Sequence, residues 1–307
     1  MQFTVRAPAS SANLGPGFDA IGIALDLWNS VTIDTNGESG EITSSGTESA
    51  LLEGRENLTI KAMKTLAREY GRPLPQCSLH AETEVPIARG LGSSASALAV
   101  GLVAANHLLN LQLGIDDLFA HAWRIEGHGD NVGAALYGGA VLAVPGMPYA
   151  KALLSQGDLG FTVVVFIPEV TGATWAARAA LPNDVPHADA AFNVATASGL
   201  AVGLLTGDLK LIAASMNDRL HEPYRARLFS HLNDMKTVAR EYGAIGACLS
   251  GAGPTVLAFV PFDAVDAVVS AMQATAIRLG VPGRVVHLSP SFEGTTIVHA
   301  FVETGVV

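Results

Sequence analysis

The sequence predicts an α+β protein of two domains, and three observations carry that prediction. The chain has 307 residues and is 49% hydrophobic, which is more than a single core of ordinary size requires. Short alternating or continuously apolar runs are mixed with stretches of helical period in both halves. Near the middle, the turn formers of Pro145-Gly-Met-Pro148 interrupt the pattern, placing the expected boundary there and giving domains 1–148 and 149–307.

Residues 2–8 alternate as a strand does. The following run, Ala7-Pro-Ala-Ser-Ser-Ala-Asn-Leu-Gly-Pro-Gly-Phe-Asp-Ala20, is small and polar. It reads as a loop that brings Asn13 and Asp19 together, although alone it is an ordinary connection between strands. Residues 31–35 and 78–85 are further strands, and the Ser/Gly/Thr/Glu-rich stretch 39–49 is an exposed loop. Leu58, Ala62, Leu66 and Tyr70 repeat at helical spacing until Gly71 stops them, predicting a helix over 57–70. A glycine-rich turn then runs into a helix reaching Asn110, and Asp116 and Asp117 open another. A strand at 138–144 closes the first half. The second half reads as a strand at 161–168, helices over much of 173–242, strands at 245–249 and 255–260, a helix at 263–280, and strands at 284–287 and 296–301. No internal repeat is visible.

Bulk properties narrow the function. Eighteen Lys and Arg against 28 Asp and Glu give a net charge of −10, which argues against nucleic-acid binding by bulk attraction. Mean hydropathy is +0.35, yet runs such as Phe161-Thr-Val-Val-Val-Phe-Ile167 are strand-sized, far short of the roughly 20 residues of a membrane span. The start Met-Gln-Phe-Thr-Val-Arg lacks a charged segment leading into an apolar one, so a cytoplasmic protein without membrane partners is expected. Cys77 and Cys248 are far apart and read as buried free thiols. No zinc spacing occurs, and His221-Glu222-Pro223 is not a metalloprotease helix.

The chemistry-bearing segment is Pro86-Ile-Ala-Arg-Gly-Leu-Gly-Ser-Ser-Ala-Ser96, which leads directly into a helix. Gly90 and Gly92 let the backbone approach an anion, and the first helical N–H groups and the macrodipole point at the same spot. Ser93 and Ser94 add hydroxyls where a magnesium ion bridging phosphates would sit. It is not a Walker A loop, since no Lys follows Gly92. Gly90, Gly92 and Ala95 satisfy a dinucleotide fingerprint, but the chain continues as helix where that site needs a second strand ending in an acid. The H-R-D and D-F-G of protein kinases are absent. A helix cap without ligand is the plainer alternative.

Three more clusters accompany it. Glu126-Gly-His-Gly-Asp-Asn131 packs carboxylates, an imidazole and an amide into six positions after a helix, a density that is costly unless something is bound. Gly243 to Val256 sets a second glycine-rich turn between apolar runs, reading as a connection or as a backbone wall. Thr174 and Arg178 share a helix face, and His221-Glu-Pro-Tyr-Arg225 supplies a second arginine; guanidinium suits carboxylate recognition, although solvated helix arginines are commoner.

Together, Pro8–Asp19, Pro86–Ser96 and Gly246–Thr255, spread along the chain, resemble the motifs of the GHMP small-molecule kinases. Ser11 to Asp19, Gly127-His-Gly-Asp-Asn-Val132 and Asn217-Asp-Arg-Leu-His-Glu-Pro-Tyr-Arg225 make the chain most similar to the homoserine kinases among them. The resemblance implies an N-terminal ribosomal-S5-domain-2-like α/β domain and a C-terminal ferredoxin-like α+β domain. It implies transfer of the γ-phosphoryl of ATP to the side-chain hydroxyl of L-homoserine, with Mg2+, for threonine synthesis, in a homodimer. By resemblance, Pro86, Ile87, Ala88, Arg89, Gly90, Leu91, Gly92, Ser93, Ser94, Ala95 and Ser96 cradle the phosphates beside Gly251 and Gly253. Asn57 lines the adenine pocket, and Ser94 with Glu126 holds magnesium. Asp19 takes the substrate ammonium and Arg178 and Arg225 its carboxylate, with Thr174 beside them, while Asn13, His128, Asp130 and Asn131 surround the hydroxyl. An Asp stands in related sugar and mevalonate kinases where this chain has Asn131, so Asn131 is expected to orient the hydroxyl while its proton passes to the phosphate; Asp130 is the rival base. Gly129 replaces a proline common in the family, which should loosen its turn. A mevalonate or sugar kinase, or a catalytically silent nucleotide-binding member of the fold, are the alternatives; Asp19 and the paired arginines favour an amino acid.

Overall fold

The computed structural model describes residues 1–36, 40–47, 49, 56–154 and 160–301. Two sheets organise it. In the first, β1 (Gln2–Asn13) and β2 (Gly17–Asp34) form a long antiparallel hairpin. The expected loop at 7–20 is therefore mostly strand, and only residues 14–16 turn. Small residues made that stretch look like loop, yet Ala7, Ala9, Ser10, Ser11 and Ala12 are all buried, because both faces of the hairpin are covered and close packing favours small side chains.

β2 is long enough to serve two neighbours. Its C-terminal part pairs with β4 (Ser78–Thr83), which pairs in parallel with β3 (Ile42–Gly46). The expected loop at 39–49 thus contains an edge strand, while Ser39 and Glu48 lie outside the described residues. The N-terminal part of β2 pairs with β5 (Ala140–Ala143), which pairs with β6 (Ala150–Leu154). β11 (Thr296–Phe301) returns to the free edge of β1. The expected division at 148/149 consequently falls inside the β5–β6 hairpin, and the last strand of the chain belongs to the first sheet. The turn formers at 145–148 mark a hairpin connection, which composition cannot tell from a boundary.

α1 (Leu58–Glu69), α2 (Ser93–Leu108), α3 (Ile115–Glu126) and α4 (Asp130–Tyr137) cover this sheet. Met63 and Leu66 of α1 and Leu98 and Leu102 of α2 share one core with Phe3, Val5 and Ile33. Gly101 allows the two helices to touch, since a Cβ there would lie 2.3 Å from the Thr59 carbonyl oxygen.

The second sheet has the antiparallel order β10 (Gly283–Leu288), β7 (Thr162–Pro168), β9 (Val256–Val260), β8 (Gly246–Leu249). Successive side chains of β7 face opposite ways. Val163, Val165 and Ile167 join Ile21, Ile23 and Leu25 of the first sheet, with Leu200 of α6 (His187–Thr206) and Ile212 of α7 (Leu209–Ser215). Val164 and Phe166 join Leu232 and Met235 of α9 (Leu232–Glu241) and Val268 and Met272 of α10 (Val265–Leu279). Burial on both faces explains the uninterrupted apolar run. α6 has the length and hydropathy of a membrane span, but one of its sides packs Leu200 and Leu204 into that core. Cys77 and Cys248 are buried free thiols, as expected. The short helices α5 (Thr174–Ala179) and α8 (Glu222–Arg225) bring Thr174, Arg178 and Arg225 to one cavity.

Candidate active site

The clusters picked out in the sequence meet in one cavity of about 580 Å³, lined from both halves of the chain. Its floor is the glycine-rich turn. Gly90 and Gly92 have φ of 80° and 71°; a Cβ on Gly90 would lie 2.3 Å from the Ser250 carbonyl oxygen, and one on Gly92 2.0 Å from Ser10 Oγ. The turn is thus clamped between β1 and the β8–β9 turn, where Ser250 Oγ contacts both Ser11 Oγ and the Gly90 carbonyl at 2.8 and 2.6 Å. α2 starts at Ser93, with Gly92 at its cap and no side chain capping the free N–H groups. The anion-attracting end of the helix is left open to the cavity.

Not every expected cradle residue turns to an anion. The Arg89 guanidinium is 6% exposed and donates to the carbonyls of Pro168 and Ile87 at 2.8 and 2.7 Å, tying the turn to the end of β7. Ser96 is fully buried. Asn57 lines the far end of the cavity, and its Oδ1 caps α1 through the Ile60 N–H.

Glu126 ends α3 and Asp130 begins α4, so the polar cluster is the tight turn between two helices. Ser94 Oγ donates to Glu126 Oε2 at 3.3 Å. Burial pushes the Glu126 carboxyl above the usual carboxylate range, against the pull of His128 and Ser94. Two oxygen donors in a half-desolvated pocket suit a hard cation, whose charge would reverse that push. Asp19, His128 and Asp130 also offer ligand atoms within 4.8 Å of one another.

Asp130 is held on several sides. Its Oδ1 accepts from His128 Nδ1 at 2.7 Å and from the Asn131 N–H at 2.7 Å, and the residue is 1% exposed. Burial disfavours the His128 imidazolium, but the hydrogen bond and charge of Asp130, helped by Glu126 and Asp19, outweigh it and raise the pKa. Ser10 Oγ donates to Asn131 Oδ1 at 2.9 Å, which turns the Asn131 amide nitrogen away from that bond as a free donor. Gly129 does not loosen the turn: a Cβ there would lie 2.6 Å from Ala143 Cβ and 2.7 Å from the Trp123 ring. Trp123 fills the space a larger residue would need.

On the opposite wall, Arg178 donates both terminal nitrogens to Asp19, at 3.0 and 2.9 Å. These two residues, expected to take opposite ends of a zwitterion, hold each other here. Asp19 has φ of 55° and Asn13 of 71°, left-handed conformations that non-glycine residues rarely adopt and that concentrate at binding sites. Asn13 stabilises both, accepting from the Asp19 N–H at 3.0 Å and donating to the Gly251 carbonyl at 2.8 Å. Arg225 is 2% exposed and donates to the carbonyls of Ala177 and Gly251 at 3.2 and 3.1 Å. Its pKa is lowered by burial and by the neighbouring Arg178 charge. Thr174 lines the cavity one turn before Arg178.

The sequence reading missed the supports. Ser10, Ser11 and Ser250 look like filler in small-residue runs, and their pairing spans 239 positions. Asp218 accepts from the N–H groups of Leu220, His221 and Glu222 and from Asn193, fixing the segment that presents Arg225. Glu222 accepts from the Leu249 N–H and pairs with Lys236. Only the density of polar residues over 217–225 signalled this.

Comparison with known proteins agrees with the geometry. The profile of the GHMP kinases N terminal domain matches residues 57–139, and that of the GHMP kinases C terminal domain matches residues 200–278. The chain is 42% identical to a homoserine kinase of Deinococcus radiodurans over 97% of both chains. It is 37% identical to that of Moorella thermoacetica over 96% of this chain and 99% of the relative. The crystal structure of homoserine kinase from Cytophaga hutchinsonii superposes with a TM-score of 0.84 at 28% identity, covering 97% of each.

Proposed function

The chain belongs to the homoserine kinases within the GHMP kinases, and from this premise we propose that the cavity transfers the γ-phosphoryl of ATP to the side-chain hydroxyl of L-homoserine. The observation that carries the substrate assignment is the Asp19–Arg178 pair with Arg225 beside it. An α-amino acid brings an ammonium for Asp19 and a carboxylate for the arginines, so it can replace the internal pair without leaving either charge unmatched. Mevalonate offers one of these charges and a neutral sugar neither.

The triphosphate lies along the turn 86–96, with Gly251 and Gly253 as the facing wall and Asn57 at the base end. Ser94 and Glu126 would hold Mg2+, which would supply charge neutralisation for the phosphates. Helix N–H groups serve in place of the lysine of other phosphate loops. The hydroxyl approaches Asn131, whose amide nitrogen donates to its oxygen and directs a lone pair at phosphorus. Asp130, accepting from His128 and the Asn131 N–H, holds those groups in place; as the hydroxyl oxygen bonds to the γ-phosphorus and the bond to ADP breaks, the hydroxyl proton passes to an oxygen of the transferring phosphoryl group. Positioning and electrostatics suffice for this reaction class. Residues 1–148 then carry most of the nucleotide contacts and residues 149–307 most of the carboxylate contacts, in a cytoplasmic enzyme acting as a homodimer.

A coupled ADP-release assay across L-homoserine, L-threonine, mevalonate and galactose tests the reading. Turnover with L-homoserine is expected; turnover confined to mevalonate or galactose refutes it.

A further inference from the structure

His221 is fully buried and has no place among the groups that touch substrate, yet it joins two parts of the site that come from opposite ends of the sequence. Its Nε2 lies 2.7 Å from the Gly15 carbonyl oxygen, and its Nδ1 lies 3.2 Å from Arg225 Nη1. A carbonyl only accepts and a guanidinium only donates, so both bonds form together in one state alone: neutral imidazole with its proton on Nε2. A charged ring would set N–H against N–H at Arg225. The Asp218 carboxylate is 3.8 Å away, but it is occupied by three backbone N–H groups and Asn193. Burial, the largest influence, lowers the pKa of the ring despite Asp218 and Glu222.

The ring also stacks on Phe18, with centroids 5.3 Å apart and planes at 29°. The same Phe18 ring supports Arg225 at 5.4 Å and Arg178 at 6.0 Å. Gly15 lies in the three-residue turn between Asn13 and the start of β2, which carries Phe18 and Asp19. One imidazole thus fixes the height of the turn that presents Asp19 and the direction of the guanidinium that faces it.

We propose that His221, with the Phe18 ring stacked on it, is a positioning residue for the amino-acid substrate: it locks Arg225 and the turn bearing Asn13 and Asp19 into one spacing, matched to an ammonium and a carboxylate on a single carbon. The proposal rests on Arg225 receiving the substrate carboxylate. Its effect on the nucleotide end is weaker and indirect: among the described residues no contact of His221 itself reaches the turn 86–96, and the one link is the Gly251 carbonyl, which accepts from Arg225 and Asn13.

The test measures KM for L-homoserine and for ATP separately in His221→Leu, His221→Gln, Phe18→Leu and Arg225→Gln. Leucine keeps the bulk and loses both hydrogen bonds; glutamine retains a donor and an acceptor. His221→Leu is expected to raise KM for homoserine about tenfold or more, as befits a lost bond to a charged group, with KM for ATP within about twofold. His221→Gln should recover most of the loss. Phe18→Leu, at a partly exposed position, should show the same split and answers the question alone if His221→Leu does not fold. If Arg225→Gln leaves KM for homoserine unchanged, the carboxylate assignment fails and this proposal with it. If Arg225→Gln raises it while His221→Leu and Phe18→Leu do not, or if both substrates' KM values rise together, the positioning role alone is overturned.

Discussion

Two neighbouring residues with similar chemistry, Asp130 and Asn131, differ in what remains free. The Asp130 carboxylate is buried and accepts from His128 and from the Asn131 N–H, both at Oδ1, so that oxygen is committed to holding the turn. Asn131 has its oxygen filled by Ser10, and among the described residues its nitrogen has no hydrogen-bond partner. Asp130→Asn is therefore expected to lower kcat by about 10- to 100-fold, through loss of the His128 contact and reorientation of the turn, and not to abolish turnover. Steady-state kinetics decide it: turnover lost entirely with homoserine affinity intact would identify Asp130 as the base. His128 gives a second expectation. Its folded pKa is raised by Asp130, Glu126 and Asp19 acting against burial, so the charged ring stabilises the fold. That contribution is complete below the ordinary imidazole pKa of about 6.5 and fades as pH rises through the elevated folded value. The difference in Tm between the protein and His128→Gln should accordingly be largest near pH 6 and shrink toward pH 9; a gap that is constant or grows with pH contradicts it.

At the scale of elements, the α3–α4 turn shows how one position constrains another. Gly129 is the cap of α4, and Ala143 of β5 and Trp123, in the last turn of α3, together occupy the volume where its side chain would be. Gly129→Ala is expected to cost about 1–3 kcal/mol by overpacking, and Trp123→Leu in the same protein to recover part of it; urea unfolding of the two single variants and the double measures the coupling. Additive losses would mean that the Ala143 contact, and not the ring, sets the cost. This pair also marks what the sequence can tell a reader. Period and turn chemistry located α1, α2 behind the glycines, α3 from Asp116, and the apolar run that forms β7. They failed at β3, whose residues Ile42–Gly46 form an exposed edge strand with the composition of a loop, and at residues 7–13, where double burial selects small side chains. The site was legible where a residue type is chemically committed, as at Asp19, Glu126, Asn131 and the arginines. It was not legible where the work is done by a serine or a backbone carbonyl brought from 120 or more positions away, as with Ser10 and Asn131.

The whole molecule is less divisible than its two sheets imply. β11 returns from the end of the chain to the edge of β1, β6 completes the first sheet from beyond residue 148, and Ile21, Ile23 and Leu25 of the first sheet share a core with Val163, Val165 and Leu257 of the second. The cavity lies on the same seam, where Arg178 pairs with Asp19, and Arg225 and Asn13 share the Gly251 carbonyl. A fragment of residues 1–148 would expose the apolar outer face of the hairpin and leave both β1 and β5 with unpaired edges, which favour intermolecular pairing. It is expected to aggregate when expressed alone. Size-exclusion chromatography and thermal unfolding of the fragment provide the check, and a monomer with a single sharp transition would show the first sheet to be self-sufficient. The physical reason to expect otherwise is that the apolar face of the hairpin is buried at the seam with the second sheet, the seam across which Arg178 of the second half pairs with Asp19 of the first.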